Sequence, residues 1–379
     1  MNTTDTSTPS PASTAEKPRR LVSLDALRGF DMFWIIGADG LLEGIRNLGD
    51  NSIFKGVAYE LDHAEWAGFH FEDLIFPMFV FMSGVSLNFS LTRILEKEGL
   101  SAAVWRLVRR GLLLVLLGIF YYGGFNGTFD HIRLLGVLQR IGLAYMFAGL
   151  IFCFFRQKAQ IAWWAGILVG YWALLSFVPV PGGTAGDFHE GANLTNWIDK
   201  HFLPLRKWDG DHDPEGLLST LPAIASCLLG VFAGQFLRTA KRTDWQKVGT
   251  LALAGVLLAA AGWAWSLQFP VIKKLWTSSF VLVAGGYSCL FLAAFYAIIE
   301  IWQWRRWAQP FIWIGMNSIT IYMIHCLVDV EKIAQRFVGG ELNTELFGRC
   351  GTLMVAIVSL GISFLICRFL FKRGIFLRV

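Results

Sequence analysis

Apolar runs close to twenty residues long recur along this chain, at about 21–46, 70–92, 104–124, 133–155, 160–178, 217–237, 247–268, 276–299, 308–328 and 347–370. About 20 apolar residues are what a helix needs to cross ~30 Å of hydrocarbon, where backbone N–H and C=O groups find no water and must pair within the segment. Such repetition predicts an all-α polytopic membrane protein with about ten transmembrane helices. The composition agrees, with 55% of the 379 residues hydrophobic and 16% charged.

Lys and Arg accumulate in cytoplasmic loops. With the N-terminus placed inside, 20 basic residues fall on the cytoplasmic side and 11 outside, so both termini are expected in the cytoplasm. This bias accounts for the net charge of +5. No basic stripe with interleaved aromatics appears outside the membrane, so no nucleic-acid partner is implied. Residues 1–20, rich in Ser, Thr and Pro, read as a disordered cytoplasmic tail without the apolar core of a signal peptide. Residues 21–379 read as one transmembrane domain, with a long external loop at about 179–216. Within that loop DGDHDPEG clusters carboxylates of the kind a hard cation prefers, but it lacks EF-hand spacing. The preferred reading is a turn into the next span, and no metal is expected. The six cysteines lie singly, without a CxxC pair, and read as packing residues. Gly230 and Gly234 form a GxxxG that would permit close helix packing.

Charges inside membrane spans cost at least ~2.5 kcal/mol each on insertion scales, so they pair or line wet cavities. The first span, LVSLDALRGFDMFWIIGADGLL, carries Asp25, Arg28, Asp31 and Asp39. The first three are spaced for ion pairing on one helical face. Asp39 lies fourteen residues beyond Asp25, about 21 Å along a helix, near the external face and without a local basic partner. It reads as a site residue. On that same side DHAEWAGFHFEDL brings His63 and Trp66 before Glu72 and Asp73. An imidazole titrating near neutrality can take a proton from an incoming nucleophile, while the two carboxylates also suit a helix N-terminus. Arg133 and Arg140, seven apart, share one face of the fourth span. They suit an anionic, phosphate-bearing ligand, or else pair with Asp25, Asp31 or Asp73 of neighbouring helices. Asn317, in PFIWIGMNSITIYMIH, is a polar group in an apolar helix that could simply bridge helices.

Taken in order, RLVSLDALRGF, HAEWAGFHFEDLIFPMFVFMSGVS, IRLLGVLQRIG, DPEGLLSTLPAIASCLLGVFAGQ, LWTSSFVL and PFIWIGMNSITIYMIH resemble the heparan-alpha-glucosaminide N-acetyltransferase family, whose bacterial members include NagX-type proteins. The resemblance implies a multi-pass protein of the bacterial inner membrane. It would move acetyl from cytosolic acetyl-CoA to the amine of glucosamine or a related amino sugar on the periplasmic side, and it would form a homodimer. His63 inherits the proposed catalytic role as general base, with Asp39 as its expected partner at a position where the family normally has Asn. Trp66, Glu72 and Asp73 become candidates for acceptor binding. Arg106, Arg110, Arg133, Arg140 and Asn317 become candidates for holding acetyl-CoA, with Asn317 or backbone N–H groups at the developing oxyanion. The competing readings are a permease for N-acetylglucosamine or chitin fragments, and an O-acyltransferase of an envelope glycan.

Overall fold

The computed structural model describes residues 21–377; the expected tail at 1–20 lies outside them. Fifteen α-helices follow one another: α1 Val22–Leu48, α2 Ser52–Leu61, α3 Phe71–Lys97, α4 Leu100–Tyr121, α5 Val137–Phe154, α6 Gln157–Phe177, α7 Leu194–Phe202, α8 Thr220–Leu237, α9 Asp244–Trp265, α10 Ser278–Tyr296, α11 Gln309–Gly315, α12 Ser318–Leu327, α13 Val330–Val338, α14 Gly340–Phe347 and α15 Gly351–Arg373. A π-helical turn, Ala297–Ile301, extends α10.

Among the described residues, 7 helical stretches can cross a membrane by length and apolar composition, or up to 8 if the bent pair α11 and α12 is one span. The chain is therefore a helical polytopic membrane protein. Three of the ten expected spans differ in kind from the rest. The first and third, at 21–46 and 104–124, are helices of 27 and 22 residues that carry too many charges to qualify on composition. The stretch at 308–328 is broken by a 75° bend between Gly315 and Ser318.

Close approach of helices makes the bundle, and glycines allow it. A Cβ on Gly84 would sit 2.0 Å from the Cys227 carbonyl oxygen, and one on Gly230 would sit 1.9 Å from that of Phe81. Thus α3 and α8 touch backbone to backbone, with Gly230 and Gly234 both turned to α3. The same device joins α1 to α11, where a Cβ on Gly29 or Gly315 would fall within 1.7 Å or 1.8 Å of a facing carbonyl oxygen. The core formed around these contacts is apolar and continuous, running through α1, α3, α5, α8 and α10.

Let the proximal end of the bundle be that where α1 begins, and the distal end that where it finishes. The starts of α3, α5, α8 and α10 gather distally. There the loop before α3 forms an isolated antiparallel bridge, Ala67 to Ile272, reinforced by Gly68 N–H donating to Val271 O at 2.9 Å. This contact brings residue 63 beside residue 273.

Candidate functional site

His63 stands at the distal end because both flanks of its loop are tied. Asp73, in the first turn of α3, accepts from His70 N at 3.1 Å and from Ala64 N at 3.2 Å through Oδ2, which caps the helix and fixes the loop together. Its other oxygen, Oδ1, lies 3.0 Å from His63 Nδ1. A carboxylate only accepts, so a neutral ring bonded to it through Nδ1 would keep its lone pair at Nε2. The exposures are unequal: the Asp73 side chain is 1% exposed and that of His63 55%. A buried anion thus orients an imidazole whose basic nitrogen is accessible. Lys273 completes the group, with Nζ 3.3 Å from Asp73 Oδ1 and 3.1 and 3.5 Å from His63 Nδ1 and Nε2.

His63 and Lys273 line a distal cavity of about 250 Å³ whose polar walls also include Asp39, Glu72 and Glu215. The expected pairing of His63 with Asp39 is corrected here. Asp73 holds the ring, because it sits in the helix turn onto which the His63 loop folds back, whereas Asp39 is a cavity wall with no ion pair to any described residue. Glu72 lines the same cavity as His63. Asp73 is buried behind His63, and Trp66 is turned away. The Trp66 Nε1 donates to Phe188 O at 2.8 Å, and its ring packs with Phe269 and Ile272 beneath the long loop.

A second cavity, of about 350 Å³, opens from the proximal half and is lined by Arg28, Arg110, Tyr145, Ser83 and Ser86 among others. Arg110 lies 4.6 Å over the Tyr145 ring, and its Nε is buried without a hydrogen-bond partner. Arg28 donates to Ser86 Oγ. The two cavities have five walls in common, Phe79, Leu138, Ile141, Ser318 and Ile319. This septum lies at the bend between α11 and α12. Asn317, 2% exposed, is the residue before α12; its Nδ2 donates to Trp313 O at 3.2 Å while Oδ1 is buried and unpartnered.

The expected acetyl-CoA arginines divide by position. Arg110 faces the proximal cavity, whereas Arg106 is bound at 2.7 Å to Glu98 on the surface. Arg133 and Arg140 are at the distal end, away from Arg110. Arg133 donates to both oxygens of Asp213, at 2.8 and 2.7 Å, and to Glu215 Oε2 at 2.6 Å. Its guanidinium also stacks 4.3 Å over Tyr122 and 4.9 Å over Trp208. Of the two readings open for Arg133, pairing is the one found, but with the loop acids Asp213 and Glu215 in place of Asp25, Asp31 or Asp73. In the sequence those acids read as a turn, since DPEG is ordinary turn chemistry and nothing local discloses an arginine eighty residues earlier. Arg140, 1% exposed, donates to Ser219 Oγ and lies 4.9 Å over the Trp276 ring.

Electrostatics follow this burial. Desolvation raises the Glu215 carboxyl above its ordinary range, against the pull of Arg140 and Arg133. Burial pushes Asp199 up to about 6 despite hydrogen bonds from Leu217 and Asp213 backbone N–H groups. Burial works to lower Arg133, but the bond to Asp213 and the charge of Glu215 outweigh it and raise its affinity for the proton. Farther out, Glu190, Asp209 and His212 converge with ligand atoms within 4.8 Å. Lys274 Nζ already sits 3.1 Å from Glu190 and 2.9 Å from Asp209, so a cation of the chain itself serves those acids.

Residues 21–368 match the family described as an acyltransferase domain. Heparan-alpha-glucosaminide N-acetyltransferase of Homo sapiens is 30% identical over 369 residues, which cover 81% of this chain and 53% of that protein. Its Mus musculus counterpart is 28% identical over 337 residues, covering 71% and 50%. The chain spans about half the length of these curated relatives.

Proposed function

The chain belongs to the acyltransferase-domain family, and on that premise we propose that it is a transmembrane N-acetyltransferase. It takes acetyl from acetyl-CoA at the proximal, cytoplasmic end and delivers it to the amine of glucosamine or a related amino sugar at the distal, periplasmic end of a bacterial inner-membrane protein. The observation that carries this reading is the back-to-back pair of cavities, one basic and one acidic, divided by five shared residues. From Arg28 to Asp39 is eleven residues of α1, about 17 Å of helix rise, so a thioester on an extended arm held by Arg28 and Arg110 would approach the septum from below.

The distal cavity suits an aminated acceptor. Among its acidic walls Asp39 pairs with no described residue, which favours an ammonium there. That ammonium first releases one proton to water. Its nitrogen then attacks the thioester carbonyl: the N–C bond forms and the C–S bond breaks. His63 Nε2 takes the second amine proton and returns it to the departing sulfur, so amide and thiol are the products. Asp73 keeps the ring in the tautomer this requires. Lys273 Nζ is the side chain best situated to balance negative charge on the carbonyl oxygen.

The test is to incubate purified protein with labelled acetyl-CoA and glucosamine beside His63→Ala. Labelled N-acetylglucosamine from the native protein, and little from the variant, is expected. Equal product from both would remove His63 from the chemistry, and uptake of N-acetylglucosamine into proteoliposomes without acetyl-CoA would favour a permease.

A further inference from the structure

Among the walls of the distal cavity, Glu215 comes from the long loop between α7 and α8. It is held there on every side. Oε2 accepts from Arg133 Nη2 at 2.6 Å, and the backbone N–H donates to Asp213 Oδ1 at 3.0 Å. Two residues on, Leu217 N–H donates to Asp199 Oδ1 at 2.9 Å. Between them Gly216 presses so close that a Cβ would lie 1.9 Å from Asp199 Oδ2. The loop thus fixes the Glu215 backbone, and Arg133 ties its carboxylate. Oε1, in contrast, takes no hydrogen bond from any described residue.

A carboxylate with one oxygen fixed by a guanidinium and the other open is a preorganised acceptor for a hydroxyl hydrogen. It is less suited to an ammonium, because Arg133 and the buried Arg140 nearby already set two positive charges against Asp213 and Glu215. The ammonium has Asp39, which pairs with no described residue. We propose that Glu215 Oε1 accepts a hydroxyl hydrogen of the acceptor sugar, and so sets which ring orientation brings the amine to His63. Glu215 is thus a positioning residue that makes the site prefer polyhydroxylated amines over simple ones. This rests on the N-acetyltransferase reading.

The experiment compares the native protein with Glu215→Gln, which keeps the shape but replaces a charged acceptor by a neutral one. Acceptors are glucosamine and its analogues that each lack one hydroxyl, with acetyl-CoA as donor. The expected result is a rise in KM for glucosamine of roughly tenfold, with KM for acetyl-CoA unchanged. One deoxy analogue should lose the same factor with the native protein and nothing further with the variant. Unchanged acceptor KM would overturn the assignment. So would a uniform fall in kcat for every acceptor with a lowered melting temperature, which marks a merely structural residue. Calorimetric binding of glucosamine reads the same contact without turnover: weaker binding by Glu215→Gln supports the assignment, and equal affinity overturns it. If the native protein binds glucosamine but forms no amide, the N-acetyltransferase reading fails while the contact is still decided by the two affinities.

Discussion

Two ionic groups share the distal end, and each is built on an aspartate that solvent scarcely reaches. In the Arg133–Asp213 pair the exposures are 3% and 0%; in the His63–Asp73 pair they are 55% and 1%. The first buries both partners and satisfies them with aromatic stacking and a second acid. The second buries the anion and leaves the base facing a cavity. Hiding both members of a pair fixes the position of a loop, and hiding one while offering the other makes a reagent. The difference teaches that burial of the partner, more than the presence of a charge, separates support from chemistry here.

Changing each pair should separate the two roles. The largest effect is expected for His63→Ala: kcat for acetyl transfer falls about 10²- to 10⁴-fold, while the melting temperature in detergent barely moves, because an exposed ring supports little packing. A large drop in melting temperature would end the distinction. Arg133→Ala should do the converse, lowering unfolding stability by about 3–5 kcal/mol by stranding Asp213 and Glu215, as read by thermal or denaturant unfolding. Asp73→Asn falls between the two. A rate loss of about tenfold to a hundredfold is expected from a less well-held imidazole, together with a loss of ~1 kcal/mol from the weakened cap, and kinetics paired with melting would read both.

The last effect is one of pH. Asp199, held at about 6, keeps in the folded state a proton that the unfolded chain has released near pH 4. Its contribution to stability is complete below about pH 4 and is lost as pH rises through about 6. Glu215 acts in the same direction. Melting temperatures across this range should therefore fall with rising pH, and less steeply in Asp199→Asn. A slope unchanged by that substitution would assign the titration elsewhere.

Much of this was legible in the sequence, and the part that was not has a physical reason. The helical membrane architecture follows from apolar length, and the setting of His63, Asp39 and Glu72 around one cavity is consistent with their spacing in the first spans. Partner choice was not legible. Lys273 reaches His63 across 210 residues of sequence, by way of the Ala67–Ile272 bridge, and reads in VIKKLW as an ordinary external base. Arg133 looked like a ligand for phosphate because charge on a helix face is visible in sequence, whereas an acid folded back from a later loop is not. Trp66 looked like a sugar platform, since an exposed and a packed indole are the same letter.

The five-residue septum carries a further consequence, one of electrical insulation. Phe79, Leu138, Ile141 and Ile319 are apolar, with Ser318 among them, so a low-dielectric layer one side chain deep separates the two cavities. Water-filled cavities on either side would concentrate most of the transmembrane voltage across this layer. One elementary charge crossing it would feel about 2.3 kcal/mol per 100 mV. An acetyl group carries no charge and passes without that penalty, so the proposed reaction would transmit a two-carbon unit while leaving the membrane's ionic gradients undischarged.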